Sequence, residues 1–551
     1  MNKSILISTV TIFGIVFCQL PETFGLERLD SNTYFDSIST AGLSSNSIRH
    51  IRKSDDSEIL FLATSSGLGY FDYNNPTDQF GMFDRNLLNL PVGGNPGLDV
   101  NGLDIAVSGV IQVEAAGGIE PAGTGIGYSS DGGLTWGFKP QPVDPSDSPI
   151  YTTFTWGEPG FEQEIRKLSV TTEIDNVSYD VAILGDYIYA ASWAGGLQRF
   201  RFKNVPLSDG EDPNPWQPIP LPMDDELDQY CGWIDTEEFE LNPKDPNDGG
   251  SHNHKGFSVH AVGDTLWVGT AGGINKGVLQ PGGCINWRHY NSYRDGISGN
   301  WVIGFEDQWV SNGFGPSFQR IWAITWSTGG YEKYGLSYTD DGGYSWNVAE
   351  QLTSMNLRIY GISTEENRVF VSSDTGLYFS LDGIHWEKMS YPAEEQGEQL
   401  LTEAYFSCLH DSLNNRTWVG SPDGIAFTDN LGVSWEIIRF WNTTLNATIE
   451  QDRFYAYPNP MYTGSYNVFQ GDSFVRFVFE PQDVPEAQLA IFDFAMTKVI
   501  ELDQSHLAGN EQEILWNCRN DWGDKVANGV YFCRLTASDK TLWTKVVVIN
   551  D

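Results

Sequence analysis

The segment richest in chemistry-bearing side chains is 241–256, LNPKDPNDGGSHNHKG. Asp245, Asp248, His252 and His254 are candidate metal ligands there, offering carboxylate oxygens and imidazole nitrogens close together. Two histidines one residue apart can meet one ion from a loop, or point to the same side of an extended strand. Imidazole suits a transition metal, whereas Ca²⁺ takes oxygen ligands alone. Ca²⁺ or another divalent ion is the one cofactor class these residues suggest; the competing reading is a solvated polar turn. The acidic runs at 209–212 and 224–226 lack the regular spacing of a calcium loop. Glycoside cleavage needs two carboxylates flanking a bond, one often in an apolar setting. With 73 acidic residues such pairs arise by chance, so no catalytic pair is assigned.

Aromatic rings offer binding instead of catalysis, because sugars stack on them and peptides use them as anchors. Trp156, Trp193, Trp216, Trp233, Trp301, Trp309 and Trp326 are open to either reading, core filler or ligand contact. Trp193 is the candidate ligand-binding ring, since it occupies the turn Ser192-Trp193-Ala194-Gly195 where similar turns carry small residues. Nucleophilic triads, phosphate-cradling loops and nucleotide motifs are absent in recognisable form. The formal net charge of -41 repels phosphate backbones and argues against nucleic acid. It serves solubility on the plain reading and divalent-cation binding on the sharper one.

The elements that must position these groups are short strands. Aromatic, β-branched and glycine-rich sequence with almost no helical patterning reads as all-β. One phrase recurs: a short apolar strand, a small residue, a turn, Gly, then an apolar pair. It stands at Leu60 as LFLATSSGLGY, at Ile188 as IYAASWAGGLQ, at Leu266 as LWVGTAGGIN, at Val369 as VFVSSDTGLYF and at Thr417 as TWVGSPDGIAF. Each is a β-hairpin in outline.

A second phrase follows some of these hairpins. Ser129, Asp131, Gly133, Thr135 and Trp136 form one copy; Thr339, Asp341, Gly343, Ser345 and Trp346 another. Ser380, Asp382, Gly383 and Trp386 form a shorter one, and Thr428, Asn430, Gly432, Ser434 and Trp435 a fourth with Asn for Asp. The Asp or Asn oxygen can accept backbone N–H bonds across the turn, Gly permits positive φ, and the Trp enters the next strand.

These four phrases resemble Asp-box motifs, found in β-propellers related to sialidases, sortilin-type receptors and certain polysaccharide hydrolases. The resemblance implies a propeller, with the boxes structural and away from the active face. Sialidases carry an Arg-Ile-Pro or Arg-Leu-Pro phrase near the start, which this chain lacks. Hydrolases of xyloglucan type pair two propellers across a cleft, and one propeller's worth of chain is present here. Candidate blades near 40–90, 95–145, 165–220, 230–290, 297–350, 354–392 and 400–442 predict a seven-bladed ring, with loops at 140–149, 206–228 and 242–256. The ring-closing strand comes from 28–40 or from 436–442.

At the C-terminus short alternating strands are expected at 473–479, 487–494, 496–502, 511–516, 528–536 and 542–549. Tyr457-Pro458-Asn459-Pro460, then LAIFDFAMTKVI, then WNCRNDWGDKVANGVYFCRL and a terminal Lys545-Val546-Val547-Val548 resemble the type A sorting domain of type IX secretion. That domain is immunoglobulin-like and related to a domain of the flagellar hook-capping protein. The family has Gly where Cys518 stands, and this departure suggests a disulfide between Cys518 and Cys533.

The expected layout is a signal peptide at 1–25, a β-propeller at 26–445, a linker at 446–453 and a sorting β-sandwich at 454–551. The leader reading rests on Lys3, the apolar run from Ile5 to Phe17 and Pro21; its rival is lipidation at Cys18 beside the bulky Phe17. No later stretch is apolar enough to cross a bilayer. The sorting resemblance implies a Gram-negative source, the type IX machinery as a partner, and a secreted or outer-surface location. The leading function is then binding a polysaccharide or protein, or an envelope role; the alternative is a glycoside hydrolase acting on a neutral polysaccharide.

Overall fold

A computed structural model describes residues 42–439 and 454–550, apart from 44, 55–56, 76–78, 85–87, 116–117, 175, 206–211, 213, 312–315, 395–397, 465–467, 480–486, 504–512 and 538–539. The leader, the linker and the 28–40 segment lie outside the described residues, as does most of the acidic run at 209–212.

The chain folds into successive antiparallel sheets of consecutive strands. Seven of them begin with Ile48–Lys53, Leu98–Asn101, Ser178–Leu184, Gly256–Val262, Trp301–Val310, Ile359–Glu365 and Ser407–Asp411. Each adds three further strands outward, and the fourth sheet gains a fifth at Asp228–Gln229. The seven opening strands contact one another in sequence, and Ile48–Lys53 meets both Ser407–Asp411 and Arg416–Ser421. The last sheet thus meets the first, the arrangement of a β-propeller, and the long inner edges are covered.

The sequence dictates this locally. Every second strand is buried on both faces, because a neighbouring sheet covers each side; Ile59–Thr64, Arg368–Ser373 and Arg416–Ser421 are buried from their second residue onward. Hence the near-continuous apolar runs of the repeat, in place of strict alternation. The small residue before each turn closes it. Thr64 Oγ1 donates to the Gly67 carbonyl at 2.7 Å, Ser373 Oγ to Gly376 at 2.8 Å, and Ser421 Oγ to Gly424 at 2.8 Å. Those three glycines sit at φ of +125°, +142° and +127°, where a side chain is strained.

Three short strands beside the expected loops form a sheet of their own. Tyr151–Trp156 and Gln163–Leu168 pair antiparallel, and Glu240–Leu241 joins them in parallel, making a satellite sheet between the third and fourth. The candidate segment starting at 165 thus opens on a satellite strand, and the one starting at 230 begins just after the fourth sheet's fifth strand. Thr152, Phe154 and Trp156 alternate with the exposed Tyr151, Thr153 and Thr155, a strand signal that the flanking prolines obscured.

The tail builds two facing sheets. Phe454–Tyr457, Val475–Phe479 and Glu513–Trp516 form one; Met461–Thr463, Lys540–Asn550, Gly529–Ala537, Ala487–Phe492 and Lys498–Leu502 form the other. Met461, Phe477, Leu489, Ile491, Trp516 and Val548 fill the space between. The tail packs on the propeller: Gln470 N–H donates to Glu403, and Glu403 N–H to the Val468 carbonyl.

Candidate functional site

The opening strands surround a central cavity of about 420 Å³. His50 and Arg52 reach it from the first sheet, Asp99 and Asp180 from the next two, His260 from the fourth, and Glu306 and Asp307 from the fifth. Two of these carboxylates are inter-sheet clips. Asp99 accepts the Ile183 N–H at 2.7 Å and the Val100 N–H at 2.9 Å; Asp180 accepts the Val259 N–H at 3.0 Å and the Val181 N–H at 2.9 Å. Each thereby ties its own strand to the opening strand of the following sheet. Hydroxyls do this elsewhere: Ser258 Oγ donates to the Val302 carbonyl, and Ser363 Oγ accepts from His410 N–H.

Burial governs the charges. It raises Asp99, and it pushes Asp180 and Glu306 up to about 7, with Arg52 opposing each. His50, buried beside Arg52, falls to about 3 and donates Nε2–H to the Pro96 carbonyl. His260 lies 3.1 Å from Asp307; burial disfavours its charge, but the carboxylate prevails and the imidazole is raised while Asp307 is lowered. Asp307 also accepts from Gln319. The Glu306 carboxylate makes no hydrogen bond or ion pair with a described residue, although its backbone pairs with Trp322 in the sheet.

The four turn phrases occupy one kind of position, between the third and fourth strands of the second, fifth, sixth and seventh sheets. Ser129 Oγ donates to Asp131 and accepts the Gly133 N–H, while Asp131 accepts both the N–H and the hydroxyl of Thr135. Thr339, Asp341, Gly343 and Ser345 repeat those bonds. In the shorter copy the His385 N–H and ring replace the hydroxyl residue on Asp382. Thr428, Asn430, Gly432 and Ser434 keep the pattern, the amide of Asn430 donating to Ser434. The tryptophans are buried against the preceding sheet: Trp136 with Phe61 and Leu68, Trp346 with Trp267, Trp386 with Trp322, Trp435 with Phe370. These residues hold sheets together and lie outside the cavity lining.

Segment 241–256 is built from two short turns. His252–His254 forms a 3₁₀ turn, not a strand, so residues two apart diverge around the axis. His254 is buried; its Nδ1 accepts the Asn242 N–H and its Nε2 donates to the Leu221 carbonyl. Burial drives its pKa down to about 4. Asp245 caps the preceding turn through Asn247, and His252 Nε2 stands 3.8 Å from it. Asp248 is exposed on that turn. Among the described residues, no group of three or more His, Cys, Asp and Glu side chains could hold a metal ion.

Trp193 lies in the turn between Tyr187–Ser192 and Gly196–Arg201. It is half-buried, packed against Phe257 and Trp301, with the Lys255 ammonium 4.9 Å from its ring. Of the seven candidate tryptophans, Trp233 and Trp309 are exposed. Cys518 and Cys533 are both free and buried, so the suggested bridge is absent. Cys533 lies in the strand Gly529–Ala537, where its Sγ donates to the Tyr531 carbonyl. Cys518 sits at φ +55°, a backbone conformation that favours glycine. The disulfide present joins Cys231 to Cys284, a pairing the sequence left open.

No family model matches the chain, and no curated protein matches it. Similar solved structures include PorZ of Porphyromonas gingivalis, a surface component of the type-IX secretion system, at 14% identity, covering 91% of this chain and 81% of that one, with a TM-score of 0.30. The Cps50 (Swd1) β-propeller domain of Myceliophteria thermophila gives 11% identity, 71% and 98% coverage and a TM-score of 0.40. The extracellular domain of BT4673 from B. thetaiotaomicron gives 10%, 92% and 87%, and 0.19. Likenesses this distant carry no argument about function. No helix among the described residues is long and apolar enough to cross a membrane.

Proposed function

We propose that this chain is an exported, cell-surface, non-catalytic binding protein: a seven-bladed propeller braced by Asp-box turns, carried outward by an immunoglobulin-like type IX sorting tail. One observation carries the non-catalytic part. Of the carboxylates lining the cavity, Asp99 and Asp180 are spent on backbone N–H groups, and Asp307 on His260 and Gln319. That leaves Glu306 alone, whereas a glycosidase of the usual kind needs two free carboxylates across the bond. The export part rests on the leader pattern and on the order of motifs in the tail.

The test follows the protein in the bacterium that encodes it. An epitope-tagged full chain should be cut by protease added to intact cells. A chain ending at 453 should be protected, inside the outer membrane. Equal exposure of both would remove the tail's assigned role.

A further inference from the structure

The outer edge of the fourth sheet carries a second surface, remote from the cavity. Phe161, Tyr230 and Trp233 are 66%, 56% and 82% exposed there. They belong to two segments that touch. A Cβ placed on Gly232 would lie 3.3 Å from both the Phe161 Cβ and its carbonyl oxygen, and Trp233 N–H closes a turn onto the Tyr230 carbonyl at 3.1 Å. The three rings thus project from one small area. Soluble proteins rarely display aromatic rings together without a partner.

The mount is rigid. Cys231 is bonded to Cys284, 53 residues away, and its N–H donates to Asn286 Oδ1. Gln163 holds the Phe161 hairpin to the other segment as a strand would: its side-chain amide donates to the Ile234 carbonyl at 2.7 Å and accepts the Ile234 N–H at 3.0 Å. Pro159 packs over Gly282, closing the third side. A backbone fixed in this way loses little entropy on binding.

The charge around the rings selects the partner. Segments 157–164 and 224–240 hold eleven acidic residues and no Lys or Arg. Several are engaged internally, such as Asp228 with Arg288 and Glu240 with Arg166. Glu162, Asp235, Glu237 and Glu238 are exposed, and none forms an ion pair with a described residue. An aromatic centre with an anionic rim fits a cationic, apolar protein segment, whose Lys or Arg can sit over the rings while its apolar residues cover them. A neutral glycan would use the rings and leave the rim without a role.

We infer that Phe161, Tyr230 and Trp233 form a disulfide-mounted docking surface for a basic, apolar protein segment. This deepens the binding reading above by naming the site and the class of partner.

The test is fluorescence anisotropy with the purified chain from residue 26 and three labelled probes: a Lys-Leu-Trp-rich peptide, the same peptide with Glu for Lys, and cellohexaose. The net charge of -41 attracts any cationic peptide, so the decisive comparison keeps charge constant. Trp233→Ala and Tyr230→Ala should each weaken the basic peptide about tenfold or more, while Trp309→Ala on the fifth sheet leaves it unchanged. Both target side chains are largely exposed, so unchanged thermal melting is expected and verifies folding. Equal affinity of Trp233→Ala and the unaltered protein would overturn the inference. So would binding of cellohexaose, lost in Trp233→Ala, without peptide binding; the surface would then be a glycan platform. The assay does not involve export, so its failure and the failure of the tail's assigned role are separate results.

Discussion

Arg476 of the tail and Asp423 of the propeller face each other as a two-pronged ion pair, Nε to Oδ1 at 2.9 Å and Nη2 to Oδ2 at 2.7 Å. The arginine is 2% exposed and also meets Glu513 and the Gln399 carbonyl. The tail is therefore docked, not merely tethered. Two further propeller groups complete the cluster, Arg439 pairing with Glu398 and lying 3.8 Å from Asp423.

Removing one partner from this pair should cost far more than a surface contact. Asp423→Ala leaves a buried guanidinium short of its main anion, with an expected loss of roughly 3–5 kcal/mol. Replacing both residues with apolar ones of similar volume should be much milder. Denaturant unfolding of the single and double variants measures the difference, and protease should release the tail of the single variant first.

The cavity predicts a pH dependence. Burial raises Glu306 from 4.5 to about 7, so the native chain holds that proton more tightly than the unfolded one. Its contribution to stability is intact below about 4.5 and is lost as pH rises through about 7. Glu306→Gln should flatten that decline and gain on the order of 2 kcal/mol above pH 7. Thermal melting between pH 4 and 8 reads it directly. Neither protein should release reducing ends from xyloglucan.

The turn phrases predict unequal roles for their members. Trp386→Ala should cost about 3–5 kcal/mol, because the ring is buried against Trp322. Asp131→Asn should be tolerated, since Asn430 accepts the same N–H bond in the seventh sheet. Hydrogen bonds from Thr135 hold Asp131 down at about 2, so its stabilising effect is present above pH 3.8 and lost on acidification toward 2. Melting curves of both variants at pH 2 to 5 test this.

Cysteine chemistry separates the sequence expectation from the structure. The chain from residue 26, unfolded without reductant and alkylated, should take three labels, at Cys408, Cys518 and Cys533. One label would mean that Cys518 and Cys533 are bridged. Reduction before unfolding should remove about 2–4 kcal/mol with the Cys231–Cys284 bond.

The hairpins were legible because apolar strand, small residue, turn and Gly each have a local cause, as Thr64 and Gly67 show. The turn phrases were legible for the same reason. What the sequence hid depends on contacts distant along the chain. His254 reads as a free ligand until the Asn242 and Leu221 backbones close on it. Trp193 reads as exposed until Phe257 and Trp301 cover it. Trp233 carried no local mark; only the hairpin carrying Phe161, folded beside it, distinguishes it from other tryptophans.

Ring closure is the claim on which the cavity and the brace both depend. Asn414 Nδ2 in the seventh sheet lies 3.5 Å from Glu58 Oε2 in the first, 356 residues apart. Cysteines placed at both positions should bridge under mild oxidation and shift the chain on a non-reducing gel. Cysteines at Asn204 and Asp186, neighbours within the third sheet, serve as the control. Closure predicts both bridges; a control bridge without the Asn414–Glu58 bridge would contradict it.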